Sequence, residues 1–178
     1  MDARLQELWD HHEIRQLLAE YCHGCDRVDE IHMASVYCEE SWDDHGQANR
    51  CDGREFARRM TADMAASGAL CSHQLGQSLI RLRGDEAGAE TYFVATVKYP
   101  GQDRLHQLGG RYVDTLERAN GAWRIKKRTC VRDWSVSHPI AADWLAEAGF
   151  VGPSPSQADP SYDTLRMDHS GVPGAVAQ

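Results

Sequence analysis

The sequence of 178 residues predicts an α+β domain in which N-terminal helices pack on a strongly curved, mostly antiparallel sheet. In the N-terminal part, apolar residues recur at helical spacing. From Ala69 onward the pattern changes to long runs bounded by turn residues, which is typical of an antiparallel meander. Helices followed by long strands favour an α+β domain over a parallel doubly wound sheet. We expect one pocket between the sheet and the helices.

Three helices are predicted in the N-terminal part of the chain. They run from Leu5 to Gly24, from Asp29 to Glu39 and from Arg54 to Ala66. Glycine adopts the left-handed conformation without strain, so Gly24 is expected to end the first helix and Gly68 the third. In the second helix Asp29 is a possible N-cap.

The region around the second helix also contains predicted core residues and a short strand. Ile31, Val36 and Tyr37 are expected to be buried on one face of the helix. Strand-like residues follow from Ser41 to His45, before Asp52 and Gly53 make a turn into the third helix.

Four long strands are predicted after the helices. They cover Ala69 to Arg83, Ala87 to Tyr99, Arg104 to Glu117 and Ala122 to Trp134. Gly76 interrupts the first strand, and Gly109 with Gly110 interrupts the third. Bulges at these glycines would supply the bend that a curved sheet needs.

The chain is expected to divide into a domain of residues 1–134 and a C-terminal extension of residues 135–178. The extension is rich in proline and glycine and contains a short helical pattern from Ile140 to Ala148. The last ~25 residues have no periodicity. They form either a disordered tail or an arm that closes the pocket or reaches a neighbouring subunit.

Composition excludes several classes of protein. Lys and Arg number 19 against 27 Asp and Glu, giving a net charge of −8, and no basic stripe offers the counter-charge that nucleic acid requires. No run approaches the roughly 18 consecutive apolar residues of a membrane span. The N-terminus has no secretory pattern, and the six scattered cysteines are typical of reduced thiols. The protein is therefore expected to be cytoplasmic.

Asp26 and His73 are the first candidate pair of functional residues. Asp26 lies just past the predicted end of the first helix, where a carboxylate meets the negative end of the helix dipole. It is either a solvated turn residue or a carboxylate that orients a histidine. His73 shares a strand face with Cys71 and Leu75, and alone it would be a hydrogen-bonded core residue. If the two side chains meet, Asp26 orients a histidine base.

Tyr21 is a further catalytic candidate near the pocket, and His45 is a candidate for substrate binding. Tyr21 is either an aromatic core residue or a phenol that polarises a substrate oxygen at the pocket rim. His45 ends the short strand after Asp43 and Asp44, a sequence that offers metal-ligand atoms. No second cluster stands at ligand spacing, so no metal site is expected.

Two basic residues are candidates for substrate binding, Lys98 and Arg132. Lys98 lies on a mixed strand face that either lines the pocket or is solvated. The last strand carries several basic residues, most of which must be on the outer face. One arginine reaching inward would bind a substrate oxygen or leaving group.

These residues, in this order of elements, resemble the SnoaL-like branch of the nuclear transport factor 2-like superfamily over about residues 5 to 134. The resemblance is carried by Tyr21, Asp26, His73, Gly110-Arg111-Tyr112, residues 121 to 125 and Arg128. It implies a cone-shaped fold and a reaction that needs no cofactor. It implies His73 as general base, Asp26 as its orienter and Tyr21 as a hydrogen-bond donor to substrate.

The resemblance also implies a reaction class and a partner. The leading hypothesis is a cofactor-independent lyase that eliminates water, or else hydrogen halide or formaldehyde, from an apolar cyclic or aromatic small molecule. The alternatives are an isomerase similar to ketosteroid isomerase and a non-catalytic ligand-binding module similar to dioxygenase small subunits. In this superfamily another copy commonly covers the outer face of the sheet, which implies a homodimer or homotrimer.

Overall fold

The computed structural model describes residues 2–141 and 148–167 and contains helices packed on one mixed sheet. The helices are α1 (Ala3–Asp26), α2 (Glu30–Ser35), α3 (Gly53–Ser67) and α4 (Pro160–Leu165). The strands are β1 (Tyr37–Asp44), β2 (Arg50–Cys51), β3 (Leu70–Arg83), β4 (Glu86–Lys98), β5 (Arg104–Ala119) and β6 (Ala122–Pro139). In the part of the chain described, no helix is long and apolar enough to cross a membrane.

The sheet has six strands in the order β2-β1-β6-β5-β4-β3. Strands β3 to β6 form a continuous antiparallel meander, and β1 joins β6 in parallel at the other side. The α+β prediction is therefore confirmed. The parallel contact between β1 and β6 is what brings the short N-terminal strand next to the end of the meander.

The predicted bulges occur where the glycines are. The pairing of β3 with β4 shifts register between Leu75 and Ser78, around Gly76, and the pairing of β5 with β6 shifts between Gly109 and Gly110. A Cβ on Gly109 would collide with the ring of Trp134. These shifts bend the long strands so that the sheet curves around its inner face.

The first helix differs from the prediction at its end. It continues through Gly24 to Asp26, so Gly24 does not terminate it. A Cβ on Gly24 would lie 2.6 Å from the backbone nitrogen of Met33 on α2. Glycine is therefore required at this position by the close approach of two helices, and the extra turn carries Asp26 toward the sheet.

The predicted extent of the second helix was wrong. Helix α2 ends at Ser35, and the chain enters β1 at Tyr37, because the residues from there onward pair with β6. Val36 and Tyr37 are buried as expected, but Ile31 is 55% exposed. Helix α3 ends as predicted at Gly68, which adopts the left-handed conformation with φ 64°.

The core lies between α1, α2, α3 and the inner face of the meander. Its largest fully buried members include Ile14 and Leu18 of α1, Phe56 of α3, and Leu116 and Ile125 of β5 and β6. Alternation along the strands supplies the sheet side of this core, since residues i and i+2 share a face.

Part of the C-terminal extension packs on the helices. The phenol of Tyr162 in α4 is buried and donates a 2.6 Å hydrogen bond to Asp29 Oδ2. Arg27 and Asp159 add an ion pair of 3.3 Å. The helical pattern predicted from Ile140 to Ala148 falls mainly on residues outside those described, and β6 itself continues past Trp134 to Pro139.

The close contact at Gly24 gives a testable prediction. Gly24→Ala is expected to destabilise the protein by about 1–3 kcal/mol, because the methyl group overlaps the backbone of α2. Chemical denaturation measures the change in free energy of unfolding. Gly88→Ala is the matched control, since a Cβ there meets nothing within 4 Å. Equal stability of Gly24→Ala and wild type would contradict the role given to the contact.

Candidate active site

A cavity of about 430 Å³ lies between the inner face of the meander and helices α1 and α3. Its wall is mainly apolar and aromatic, with Phe56, Phe93 and Tyr112 among the lining residues. His73 and His45 are among the polar residues that line it. A concave apolar site with a few polar groups is the usual form of a small-molecule site.

Asp26 and His73 meet at one wall of this cavity. Asp26 Oδ1 lies 2.6 Å from Nδ1 of His73, and Asp26 Oδ2 accepts the backbone N–H of His73 at 2.9 Å. Two bonds from one carboxylate fix the imidazole relative to its strand. The ring lines the cavity, and its Nε2 makes no hydrogen bond within the described residues. This is the geometry of a base and the carboxylate that orients it.

The surroundings of His73 favour its protonated form. Burial lowers the pKa of His73, but the hydrogen bonds with Asp26 and Cys71 outweigh it and raise that pKa to about 9. Cys71 Sγ lies 3.8 Å from His73 Nδ1. The hydrogen bond with Cys25, together with the nearby His73, lowers the pKa of Cys71 to about 6. The imidazolium that forms when His73 accepts a proton is thus stabilised.

Tyr21 lies next to a buried cation, Arg128. The Arg128 guanidinium stacks between the rings of Tyr21 and Tyr112, at 4.1 Å from each centroid. It also pairs with Asp114 through two bonds of 2.8 Å, both side chains being fully buried. Its Nη1 has no hydrogen-bond partner in the described structure. The inward-facing arginine that the sequence left open is Arg128, which the fold places behind the cavity wall.

The phenol of Tyr21 is held in its neutral form. Burial raises the pKa of Tyr21 well above its ordinary value, while the charge of Arg128 opposes this effect. A neutral phenol against a cation is a hydrogen-bond donor suited to an oxygen that develops negative charge.

His45 belongs to a second hydrogen-bonded chain that also borders the cavity. Its Nδ1 is paired with Oδ1 of Asp43, and its Nε2 lies 3.4 Å from the Tyr21 hydroxyl. The other oxygen of Asp43 accepts the Tyr37 hydroxyl at 2.6 Å. From the sequence, Asp43 was expected to matter only as a possible metal ligand. Its position two residues before His45, at the end of a strand, was a usable signal that the two share a face.

Two predicted substrate-binding residues do not reach the cavity. Val97 and Tyr99 line it, so Lys98 between them lies on the other face of β4. Arg132 is exposed on β6, next to the register shift at Gly109 and Gly110, and is not among the lining residues. Neither residue is among those that line the cavity, and the buried arginine is Arg128.

One set of side chains has the spacing of metal ligands. Cys25, Asp26 and His73 bring one ligand-type atom each within 4.8 Å of one another. Asp26 already uses both oxygens on His73, and closed structural zinc sites have four ligands. We therefore interpret the set as a hydrogen-bonded cluster.

Helices over a strongly curved, mostly antiparallel sheet, with a cavity beneath the helices, define the nuclear transport factor 2-like class of α+β domains. Within this class, residues 6–129 match the family model described as SnoaL-like domain, and the chain belongs to that family. No curated protein matches the chain.

Three solved structures illustrate the shared fold. A Novosphingobium aromaticivorans protein, provisionally named a scytalone dehydratase, is 18% identical with a TM-score of 0.69, covering 76% of this chain and 91% of its own. A hexachlorocyclohexane dehydrochlorinase from Novosphingobium barchaimii is 17% identical with a TM-score of 0.66, covering 85% and 100%. The beta subunit of a provisionally named aromatic-ring-hydroxylating dioxygenase from N. aromaticivorans is 19% identical with a TM-score of 0.60, covering 73% and 92%. At these identities the likeness shows the fold alone.

The contact between Asp26 and His73 predicts how His73 titrates. Asp26→Asn is expected to lower the pKa of His73 by about one to three pH units, because it removes the opposing charge. NMR titration of labelled histidine rings measures this, with His73→Gln assigning the signal. An unchanged pKa in Asp26→Asn would contradict the electrostatic role of Asp26.

The same contact predicts a dependence of stability on pH. The pKa of His73 is raised by folding, so the stabilisation is complete below its ordinary value of about 6.5. It is lost as the pH rises through about 9. The difference in unfolding free energy between wild type and His73→Gln should therefore shrink over this range.

Proposed function

We propose that this protein is a cofactor-independent lyase. It removes a proton from an apolar cyclic or aromatic small molecule and expels a small neutral group, with water the foremost candidate and hydrogen halide or formaldehyde the others. The observation that carries the proposal is the pair of Asp26 and His73. Two hydrogen bonds from Asp26 hold His73, and the His73 ring lines an apolar cavity with its Nε2 free.

The cavity supports a substrate of limited size and low polarity. Its volume of about 430 Å³ lies at the smaller end of the usual range for ligand sites, ~300–1,000 Å³. Phe93 and Tyr112 stack with ring centroids 4.2 Å apart and give the cavity an aromatic wall. A molecule of one or two rings fits this description better than a charged or extended one.

The proton transfer and the charge stabilisation fall to different groups. His73 Nε2 takes the proton, and Asp26 balances the imidazolium that results. The electrons of the broken bond develop negative charge on the substrate. Tyr21 donates to that charge, and the Arg128 cation behind its ring supports it.

Structural neighbours support the elimination class. A dehydratase and a dehydrochlorinase are both named for the loss of a small molecule. The likeness to a dioxygenase beta subunit favours a non-catalytic module as the second candidate function. An isomerase is the third. Product mass separates these functions, since isomerisation conserves mass and a binding module gives no product.

Replacing His73 tests the proposed reaction directly. Purified protein is incubated with hydroxylated, halogenated and diol-bearing cyclic and diaryl compounds, and products are detected by mass spectrometry. Loss of the mass of water, hydrogen chloride or formaldehyde is expected with wild type. His73→Gln should lower kcat/KM by ~10²–10⁴-fold, the usual contribution of a positioned base. His12→Gln, on the exposed surface of α1, is the matched control.

Two further results belong to the same experiment. The rate should rise with pH toward about 9, because only the neutral form of His73 accepts a proton. Turnover should persist with a chelator, because the dyad transfers the proton itself. Near-wild-type turnover by His73→Gln would contradict proton abstraction by His73.

A homo-oligomer, dimer or trimer, is the partner we propose. By strand alternation, the outer face of the sheet carries Tyr92, Val113, Trp134 and Val136, all of them exposed in the single chain. Exposed apolar side chains on one face of a sheet favour a protein interface.

The proposed interface is testable by molar mass. Light scattering after size exclusion should give a dimer or trimer for wild type, and the double change Val113→Lys with Val136→Lys should give a monomer, because it buries charge in the interface. Ala62→Lys, on the exposed side of α3, is the control. A monomeric wild type would contradict the proposal.

A further inference from the structure

The proposed elimination leaves one half of the reaction without an assigned residue. When water is lost, the departing oxygen must acquire a proton, because hydroxide is a poor leaving group. When halide is lost, the ion departs without one. His73 serves as the base, and a second group placed beside the leaving oxygen can supply the acid for dehydration.

The hydrogen-bonded chain of Asp43, His45 and Tyr21 has the arrangement of such an acid. Asp43 is fully buried and accepts hydrogen bonds from both Tyr37 and His45, which fixes the His45 ring through Nδ1. The ring also stacks on Phe56 at 4.3 Å with an interplanar angle of 16°. Its remaining nitrogen, Nε2, lies 3.4 Å from the Tyr21 hydroxyl. The imidazole is therefore oriented as firmly as that of His73.

A buried carboxylate lies beside the His45 ring. Arg128 gives its paired bonds to Asp114, so that one buried carboxylate and one buried cation compensate each other. Asp43 is a second buried carboxylate, and its paired base is His45. The Asp43 carboxylate pairs any charge that His45 carries when it holds a proton, and buried charges persist where they are paired.

Both histidines open onto the same cavity, with Tyr21 between them. His45, His73 and Tyr21 all line it, and the ring centroids of Tyr21 and His73 are 6.5 Å apart. A single ring held in this space can therefore present a C–H bond to His73 and a hydroxyl to Tyr21.

We propose that Asp43, His45 and Tyr21 form a proton-donating relay that protonates the leaving hydroxyl of the substrate. The proposal rests on the elimination proposed above. His73 Nε2 takes the proton as the C–H bond breaks, and that electron pair forms the C=C bond as the C–O bond breaks. The departing oxygen takes the Tyr21 proton, and Tyr21 takes the proton from His45 Nε2. Water leaves, and solvent restores both histidines.

A pair of probes that differ only in the leaving group tests the relay. The probes are the hydroxyl and chloride forms of the ring skeleton that wild type turns over, beginning with 3-hydroxycyclohexanone and 3-chlorocyclohexanone. Rates are corrected for spontaneous elimination. His45→Gln should lower kcat/KM on the hydroxyl probe by ~10²–10⁴-fold and on the chloride probe by less than about tenfold. His73→Gln should lower both equally.

Two more variants make the outcome independent of one substitution. Tyr21→Phe keeps the ring against Arg128 but removes the hydroxyl, so it should lower the rate on both probes and lower the rate on the hydroxyl probe more. His12→Gln should change neither rate. Circular dichroism and thermal melting check that each variant is folded.

The outcomes separate this inference from the proposed function. If His45→Gln lowers the rates on both probes equally, or lowers neither, the relay is overturned while the His73 mechanism stands. If wild type eliminates from neither probe, or His73→Gln retains both activities, the proposed function fails and the relay fails with it.

Discussion

The buried guanidinium of Arg128 is the interaction on which the rest of the site depends. It joins four elements: its own strand β6, Asp114 and Tyr112 of β5, Tyr21 of α1 and, through its Cα pairing with Asp43, β1. Removing one partner from a buried ion pair typically costs ~3–5 kcal/mol, because the other charge is left unpaired. Arg128 therefore keeps its contacts with Asp114 and Tyr21 only when β5, β6 and α1 are correctly placed. The same arrangement sets Tyr21 between the two histidines.

The fold and part of the site follow from local patterns in the sequence. The four long strands, the bulges at Gly76 and at Gly109-Gly110, and the end of α3 at Gly68 each depend on residues close in the chain. The boundary between α2 and β1 does not, because the residues from Tyr37 become a strand only through pairing with β6. Tertiary pairing there overrides the helical spacing.

The identity of the inward arginine was hidden by a register shift. Ile125 is buried, so strict alternation along β6 places Lys127 inward and Arg128 outward. The pairing with β5 shifts between Thr115 and Leu116, which inserts one residue and reverses the faces. Arg128 then faces inward and Lys127 is exposed. No local signal marks this bulge, since no glycine stands at it. Asp43 and His45, by contrast, were recoverable from alternation alone.

The buried contact between Tyr162 and Asp29 ties a segment beyond the family match to the first two helices. The SnoaL-like match ends at residue 129, whereas β6 continues to Pro139 and α4 supplies a phenol to a carboxylate between the first two helices. The family match and the packed structure therefore end at different residues in this chain. A fragment cut at the family boundary would keep Asp26 and His73 but leave Asp29 short of a partner beside the turn that carries Asp26. A segment moved by gene fusion or recombination should therefore extend beyond the family match and include α4.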